Sequence, residues 1–297
     1  MTNTATLNKL VIIGVGLIGG SFALALRKAS LVKHVVGVGR SPENMQRALQ
    51  QGVIDEIAET FAAALHDADV VFLAMPVGQT EHIMAQIAPH LQANTLITDA
   101  GSTKQDVIDA ARNHLSTEQL ANFVPGHPIA GAEQSGVLAA KADLFHSKQI
   151  ILTPLVETST NAVEKVTNLW QACGAEVSQM DPDEHDQVLA ATSHLPHILA
   201  FALMNHLHTS TESNPENLLR FAGSGFKDFT RIASSSPEMW RDICIANRHA
   251  LIMQMDAYQG ELETLREILE RCDEEALEEA FSQARGVRED WLRGKTS

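Results

Sequence analysis

Leu10-Val11-Ile12-Ile13 runs directly into Gly14-Val15-Gly16-Leu17-Ile18-Gly19-Gly20, and this stretch decides the fold. Four consecutive apolar residues read as a strand buried on both faces, the pattern of a parallel sheet. The glycines follow at G-x-G-x-x-G spacing. In such a turn Gly14 permits the tight bend, Gly16 lets backbone approach a pyrophosphate, and Gly19 lets the next helix pack close to the strand. The helix that opens at Leu17 and Ile18 then points free N–H groups and a partial positive charge at the phosphates. A dinucleotide cofactor is implied, and redox chemistry with it.

The context is right on both sides. Ser21 to Lys28 continues as an apolar helix, and Val35-Val36-Gly37-Val38-Gly39 reads as a second strand, completing a β-α-β unit. An NAD site usually carries Asp or Glu at the end of that strand, where it takes the ribose hydroxyls. This chain has Gly39-Arg40-Ser41-Pro42 instead, with Glu43 slightly late. Arg40 can pair with a 2′-phosphate and Ser41 can hydrogen-bond it, which favours NADP and leaves NAD possible. Met75-Pro76, ending the run Ala68 to Pro76, is expected on the same cofactor edge.

The first half alternates strands and helices. Strands are expected at 68–76, 95–99, 122–125, 148–153 and 175–180, with helices at 79–90, 104–115 and 159–173. That alternation predicts a parallel, doubly wound sheet of α/β class. After Asp181-Pro182 no convincing strand appears. Residues 183–207 are helical in period, Pro196 forces a kink or a helix start, Asn214-Pro215 is a break, and 238–270 reads as one long helix before a last one over 273–293. The expected organisation is a Rossmann-type domain over 1–181 and an all-α domain over 182–297, whose long helices suit a dimer interface.

The chain has 297 residues, 44% of them hydrophobic, enough for two domains and an ample core. A net charge of −15 argues against nucleic acid or an anionic membrane surface as partners. The apolar run 195–204 is too short to span a bilayer. Three scattered cysteines without a C-x-x-C suit reduced thiols in a cytoplasm, and the first strand begins too near Met1 for a signal peptide.

Four further segments can carry chemistry. Pro125-Gly126-His127-Pro128 places an imidazole just past a strand's carboxyl end, where ligands bind in open α/β sheets. Such a histidine can take a proton near neutral pH. Asp99-Ala100-Gly101-Ser102-Thr103-Lys104 ends the preceding strand. Ser102 can bond a substrate hydroxyl or cap the next helix, and Lys104 reads as a solvated first-turn lysine or an anion contact. His185, His194, His197, His206 and His208 cluster in the helical half. Without H-E-x-x-H or a cysteine pair they suggest substrate contacts for one or two of them and no metal site, with His206 and His208 as solvated helix-end residues. Gly223 to Ala233 sets Arg231 after a glycine turn, where it can capture a carboxylate or pair with an acidic neighbour.

Together these segments resemble the prephenate/arogenate (cyclohexadienyl) dehydrogenase family. The matching stretches are Val11–Gly20, Asp99–Lys104, Gly126–Gly131 with Glu133, Ser193–His197, and Gly225–Arg231 with Trp240. The resemblance implies a Rossmann domain joined to a helical dimerisation domain, and a homodimeric cytoplasmic enzyme of tyrosine biosynthesis. It implies that a cyclohexadienyl ring loses a C4 hydride to the nicotinamide, its hydroxyl proton, and its ring carboxylate as CO2. His127 would accept the proton, Ser102 would orient it, and Arg231 would hold a carboxylate with help from His197. His185, Glu133 and Trp240 would lie near the site. Two other readings stay open. A β-hydroxyacid-type dehydrogenase would use a lysine such as Lys227 and leaves Gly126-His127-Pro128 unexplained. A non-catalytic NADP-sensing regulator would need neither His127 nor Arg231.

Overall fold

The first strand, β1 (Leu7–Ile13), is apolar on both faces because both faces are covered. Leu10 and Ile12 pack into one cluster with Phe22, Phe72 and Trp170. Val11 and Ile13 pack into another with Val71, Ile97 and Phe123. The computed structural model describes residues 5–131, 134–209 and 219–294. In it β1 sits inside a six-stranded sheet whose adjacent strands all pair in parallel. The other strands are β2 (Val32–Val38), β3 (Glu56–Ile57), β4 (Val70–Leu73), β5 (Leu96–Asp99) and β6 (Phe123–Val124), in the order β3-β2-β1-β4-β5-β6. Helices α1 (Leu17–Lys28), α2 (Pro42–Gln50), α3 (Phe61–Leu65), α4 (Thr80–Ile87), α5 (Gln105–His114) and α6 (Thr117–Leu120) connect them. The order reverses beside β1, which opens a crevice at the strands' carboxyl ends.

The glycine turn leads into that crevice. Gly14 has φ +97, and a Cβ there would lie 2.6 Å from the carbonyl carbon of Ala74, so only glycine is tolerated. A Cβ at Gly19 would meet Ile12 at 2.8 Å, which shows how closely α1 is set against β1.

The expected strands at 148–153 and 175–180 form, but not in this sheet. They are β8 (Gln149–Leu152) and β9 (Glu176–Gln179), and with β7 (Gly126–Pro128) they make a separate three-stranded sheet. The β7–β8 pair is antiparallel, with His127 opposite Ile151. The physical reason lies at Gly126. Its N–H donates to Asp99 Oδ1 at 2.9 Å and its carbonyl accepts from Lys104 Nζ at 2.8 Å. Side chains occupy the groups that would have extended the β5–β6 ladder. The helix α7 (Thr160–Ala172) follows β8 and carries Trp170 into the core.

Beyond Asp181 the described residues are helical: α8 (Pro182–Leu189), a π turn (Ala190–His194), α9 (Leu195–Thr209), α10 (Ser224–Thr230), a short 3-10 turn (Arg231–Ser234), α11 (Pro237–Ala246), α12 (Arg248–Glu270) and α13 (Glu274–Gly294). Asn214-Pro215 lies outside the described residues. Pro196 does not break the run, because the π turn just before it absorbs the missing N–H. Residues 182–209 are therefore continuous, and by length and composition they could cross a membrane, contrary to the estimate from 195–204 alone. The segment nonetheless carries His185, Asp186 and His194 in a buried polar network. The single helix expected over 238–270 is two, parted at Asn247, whose side chain turns inward. By compactness the chain divides into Met1–Arg248 and His249–Ser297. All three cysteines are free thiols.

Gly14→Ala should destabilise the fold by about 1–3 kcal/mol through its backbone conformation alone, and should also abolish nicotinamide-dinucleotide binding. Thermal unfolding and a cofactor titration check both; unchanged binding would remove Gly14 from the cofactor edge.

Candidate active site

The cofactor edge is built from backbone. Gly16 precedes α1 with no side chain capping the helix, and a Cβ there would meet nothing within 4 Å. The first-turn N–H groups at Leu17, Ile18 and Gly19 are thus left without a side-chain cap beside an unobstructed Gly16, the arrangement that binds phosphate. At the end of β2, Arg40 is 70% exposed at its side chain and stands 3.9 Å from Glu238. With its amide oxygen turned inward, Gln79 accepts from both terminal nitrogens of Arg40 at 2.8 and 3.0 Å. Ser41 Oγ accepts from Asn44 N–H and caps α2, and Glu43 pairs with Arg47. Residues 39–42 thus carry no carboxylate at the strand end, and the one that reaches Arg40 comes from Glu238. Met75 and Pro76 lie half-buried between β4 and a turn at Val77, which packs on Trp240 and Ile243 of α11.

Behind the site lies an ion pair. Lys104 is wholly buried, and its Nζ sits 2.6 Å from Asp99 Oδ2 and 2.8 Å from the Gly126 carbonyl. Asp99 also accepts from the N–H groups of Gly101 and Gly126. The reading of Lys104 as solvated does not survive this burial; the anion it contacts is the Asp99 carboxylate. Its charge is spent holding the strand that bears His127, and loss of one partner of such a pair costs about 3–5 kcal/mol.

A line of hydrogen bonds runs from the helical segment to His127. Asp186 accepts from Lys104 N–H and Gln105 N–H, both at 2.9 Å, and so caps α5. The expected cap, Ser102, is not used, and its hydroxyl has no hydrogen-bond partner among the described residues. Asp186 Oδ1 lies 2.9 Å from His185 Nδ1, and His185 Nε2 lies 2.9 Å from His127 Nδ1. Burial opposes ionisation of Asp186, but the bonds from His185, Gln105 and Lys104 outweigh it and hold the carboxyl below its usual range. Burial lowers His185, although Asp186 works the other way. Burial, then the neighbouring His185, Lys104 and His194, push His127 well below its ordinary 6.5. His127 is thus a neutral imidazole at neutral pH.

Further aromatic side chains come from α9 and α11. His197 stacks on Trp240, ring centroids 3.7 Å apart, and its Nδ1 bonds the Ser193 carbonyl. Burial lowers its pKa against the opposing Ser193 bond, with the Arg231 charge adding to the lowering, and the turn Arg231–Ser234 packs on α9. His194 meets the edge of Trp240, and its Nδ1 accepts from Asn247 Nδ2, which also bonds the Asp186 carbonyl. The far nitrogen of His194 and the Trp240 indole N–H are buried without partners among the described residues.

The structure thus brings His127, His185, His197, Trp240 and Arg231 into one neighbourhood. His185 is fully buried and touches His127. Asp186 has both carboxylate oxygens engaged by the protein. Glu133 lies outside the described residues. Asp99, Asp186 and Asn247 carry no motif-level signal as supports; only the His185-Asp186 dipeptide hinted at one.

Residues 22–179 match the family model described as prephenate dehydrogenase, nucleotide-binding domain, and residues 181–283 match its dimerization domain. The prephenate dehydrogenase of Bacillus subtilis is 41% identical over 94% of this chain and 75% of its own. The cyclohexadienyl dehydrogenase of Zymomonas mobilis is 33% identical over 94% of each. The crystal structure of prephenate dehydrogenase from A. aeolicus with hydroxyphenyl propionate and NAD+ matches with TM-score 0.90 and 36% identity, over 97% of this chain and 99% of that one.

Three buried imidazoles, His127, His185 and His194, have folded pKa values below 6.5, His194 at about 4. Below 6.5 the unfolded chain binds protons that the folded one refuses, so stability is full above that value and falls with the pH beneath it. His194 alone should contribute a loss of about 2 kcal/mol near pH 5. Urea denaturation at about pH 7.5 and pH 5 measures this; equal midpoints would mean these imidazoles are not buried neutral.

Proposed function

The chain belongs to the prephenate dehydrogenase family, and we propose that it catalyses the oxidative decarboxylation of a cyclohexadienyl substrate, prephenate or arogenate, to 4-hydroxyphenylpyruvate or tyrosine. The observation that carries this reading is His127: neutral, held by Nδ1, and anchored on a strand at the carboxyl edge of the sheet. Nε2 is the nitrogen left for a substrate hydroxyl.

The glycine turn and the first turn of α1 hold the dinucleotide phosphates, and Met75 and Pro76 border them. When bound, the nicotinamide supplies the acceptor for the C4 hydride. His127 Nε2 takes the hydroxyl proton and Ser102 orients that hydroxyl. Arg231 binds a substrate carboxylate bidentately, which fixes the ring's position. His197 stacks on Trp240 beside it and forms the wall against which the ring rests. The ring carboxylate leaves as CO2, and aromatisation makes the step effectively irreversible. NADP is the better fit because Arg40 replaces the strand-end carboxylate that would take ribose hydroxyls. The A. aeolicus relative with NAD+ makes NAD the other arm to test.

The reading also takes 1–181 as the dinucleotide-binding domain and 182–297 as the substrate and dimerisation domain, in a cytoplasmic homodimer. Exposed apolar residues on α12 (Ile252, Met253, Leu262 and Leu269) support a second copy as partner.

The test pairs each substrate with each cofactor and follows absorbance of reduced nicotinamide. Turnover with at least one pair is expected; silence in all four would favour a sensing regulator. His127→Asn should lower kcat by about 10²–10⁴-fold with cofactor affinity intact, and surviving activity would displace His127 as the base. Arg231→Ala should raise KM by about 10–10²-fold with a smaller effect on kcat. An unchanged KM would put the carboxylate anchor elsewhere.

A further inference from the structure

We propose that Asp186 is a positioning residue that, acting through His185, decides which nitrogen of His127 carries the proton. The inference rests on His127 being the proton acceptor, but its geometry can be tested without turnover.

Each link leaves one choice. Asp186 is ringed by donors: Lys104 N–H on Oδ1, Gln105 N–H on Oδ2, and His185 Nδ1 against Oδ1. Two of these are backbone amides that cannot give up their hydrogens. A carboxylate so placed stays ionised and only accepts, so His185 must carry its hydrogen on Nδ1. The neutral ring then has its lone pair on Nε2, and that atom faces His127 Nδ1 at 2.9 Å. His127 Nδ1 must therefore donate. The remaining nitrogen, Nε2, is left bare as the acceptor. When Nε2 takes a proton from a substrate hydroxyl, no other bond need rearrange, and the new imidazolium lies two hydrogen bonds from a buried carboxylate that stabilises it.

The arrangement also explains why both imidazoles are buried on adjacent elements. Solvent would exchange tautomers freely, whereas His185 is fully shielded and His127 nearly so. The carboxylate that orients them is itself oriented by the first turn of α5, whose backbone cannot rotate away. A base on β7 is thus set from α8 by way of α5. Asp186 touches neither substrate nor cofactor.

The experiment is 15N NMR of the histidine-labelled enzyme with oxidised cofactor bound, near neutral pH. Ring signals are assigned by their loss in His127→Asn and His185→Phe. The expected wild-type spectrum shows His185 protonated on Nδ1 and His127 unprotonated on Nε2. A proton on His127 Nε2 overturns the proposal, whatever the activity. In Asp186→Ala, His185 is released, and a large share of His127 should shift its proton to Nε2. kcat should fall by about 10²-fold or more while the KM for substrate changes little. Wild-type tautomers persisting in Asp186→Ala would equally overturn it. Should that variant fail to fold, the wild-type spectrum alone decides. Loss of activity in His127→Asn with the expected tautomers supports both readings; retained activity with the expected tautomers refutes the base and leaves the relay standing.

Discussion

The buried pair of Asp99 and Lys104 is the constraint on which the site depends. Its two charges lie 2.6 Å apart with essentially no solvent contact, and neither could remain there alone. The pair uses its remaining hydrogen-bonding capacity on backbone: Asp99 takes the N–H groups of Gly101 and Gly126, and Lys104 takes the Gly126 carbonyl. One interaction therefore fixes the end of β5, the turn that carries Ser102, and the residue next to His127. It also ends the six-stranded sheet, because it takes the groups through which β7 would have paired.

A second carboxylate ties the helical segment to this centre. Asp186 caps α5, holds His185, and through its own carbonyl meets Asn247. Asn247 in turn bonds His194, which lies edge-on to Trp240. The polar atoms of α8, α5 and the α11–α12 junction thus form one connected line with His127 at its end. Such a line is costly when incomplete and rigid when satisfied. Rigidity is what a base needs if its proton-accepting atom is to meet a hydroxyl in a defined place.

Much of this was legible in the chain. The roles assigned to Gly14 and Gly19 are met by a φ of +97 and by close packing against Ile12. The strands and most helices stand within a few residues of where hydrophobic period placed them, and the family resemblance is matched by two family models over 22–179 and 181–283. His127, His197, Trp240 and Arg231 do share one neighbourhood. The misreadings have a common source. Lys104 is buried where a solvated side chain is expected, Asp186 caps α5 where Ser102 is the default cap, and β8 and β9 stand outside the main sheet. Each turns on a partner outside the local segment: Gly126, beside the nearby Asp99, for Lys104, Asp186 for α5, and Gly126 again for the sheet boundary.

By itself the sequence determined the Rossmann strand-turn-helix, the alternation of elements and the helical second half, because period and glycine spacing are local and survive without knowledge of neighbours. Only the tertiary structure decided which charges are buried, where the sheet stops and what stands behind His127. Those outcomes are set by desolvation, which makes a buried carboxylate or ammonium seek a partner, and the partner can lie 82 residues away, as Asp186 does from Lys104.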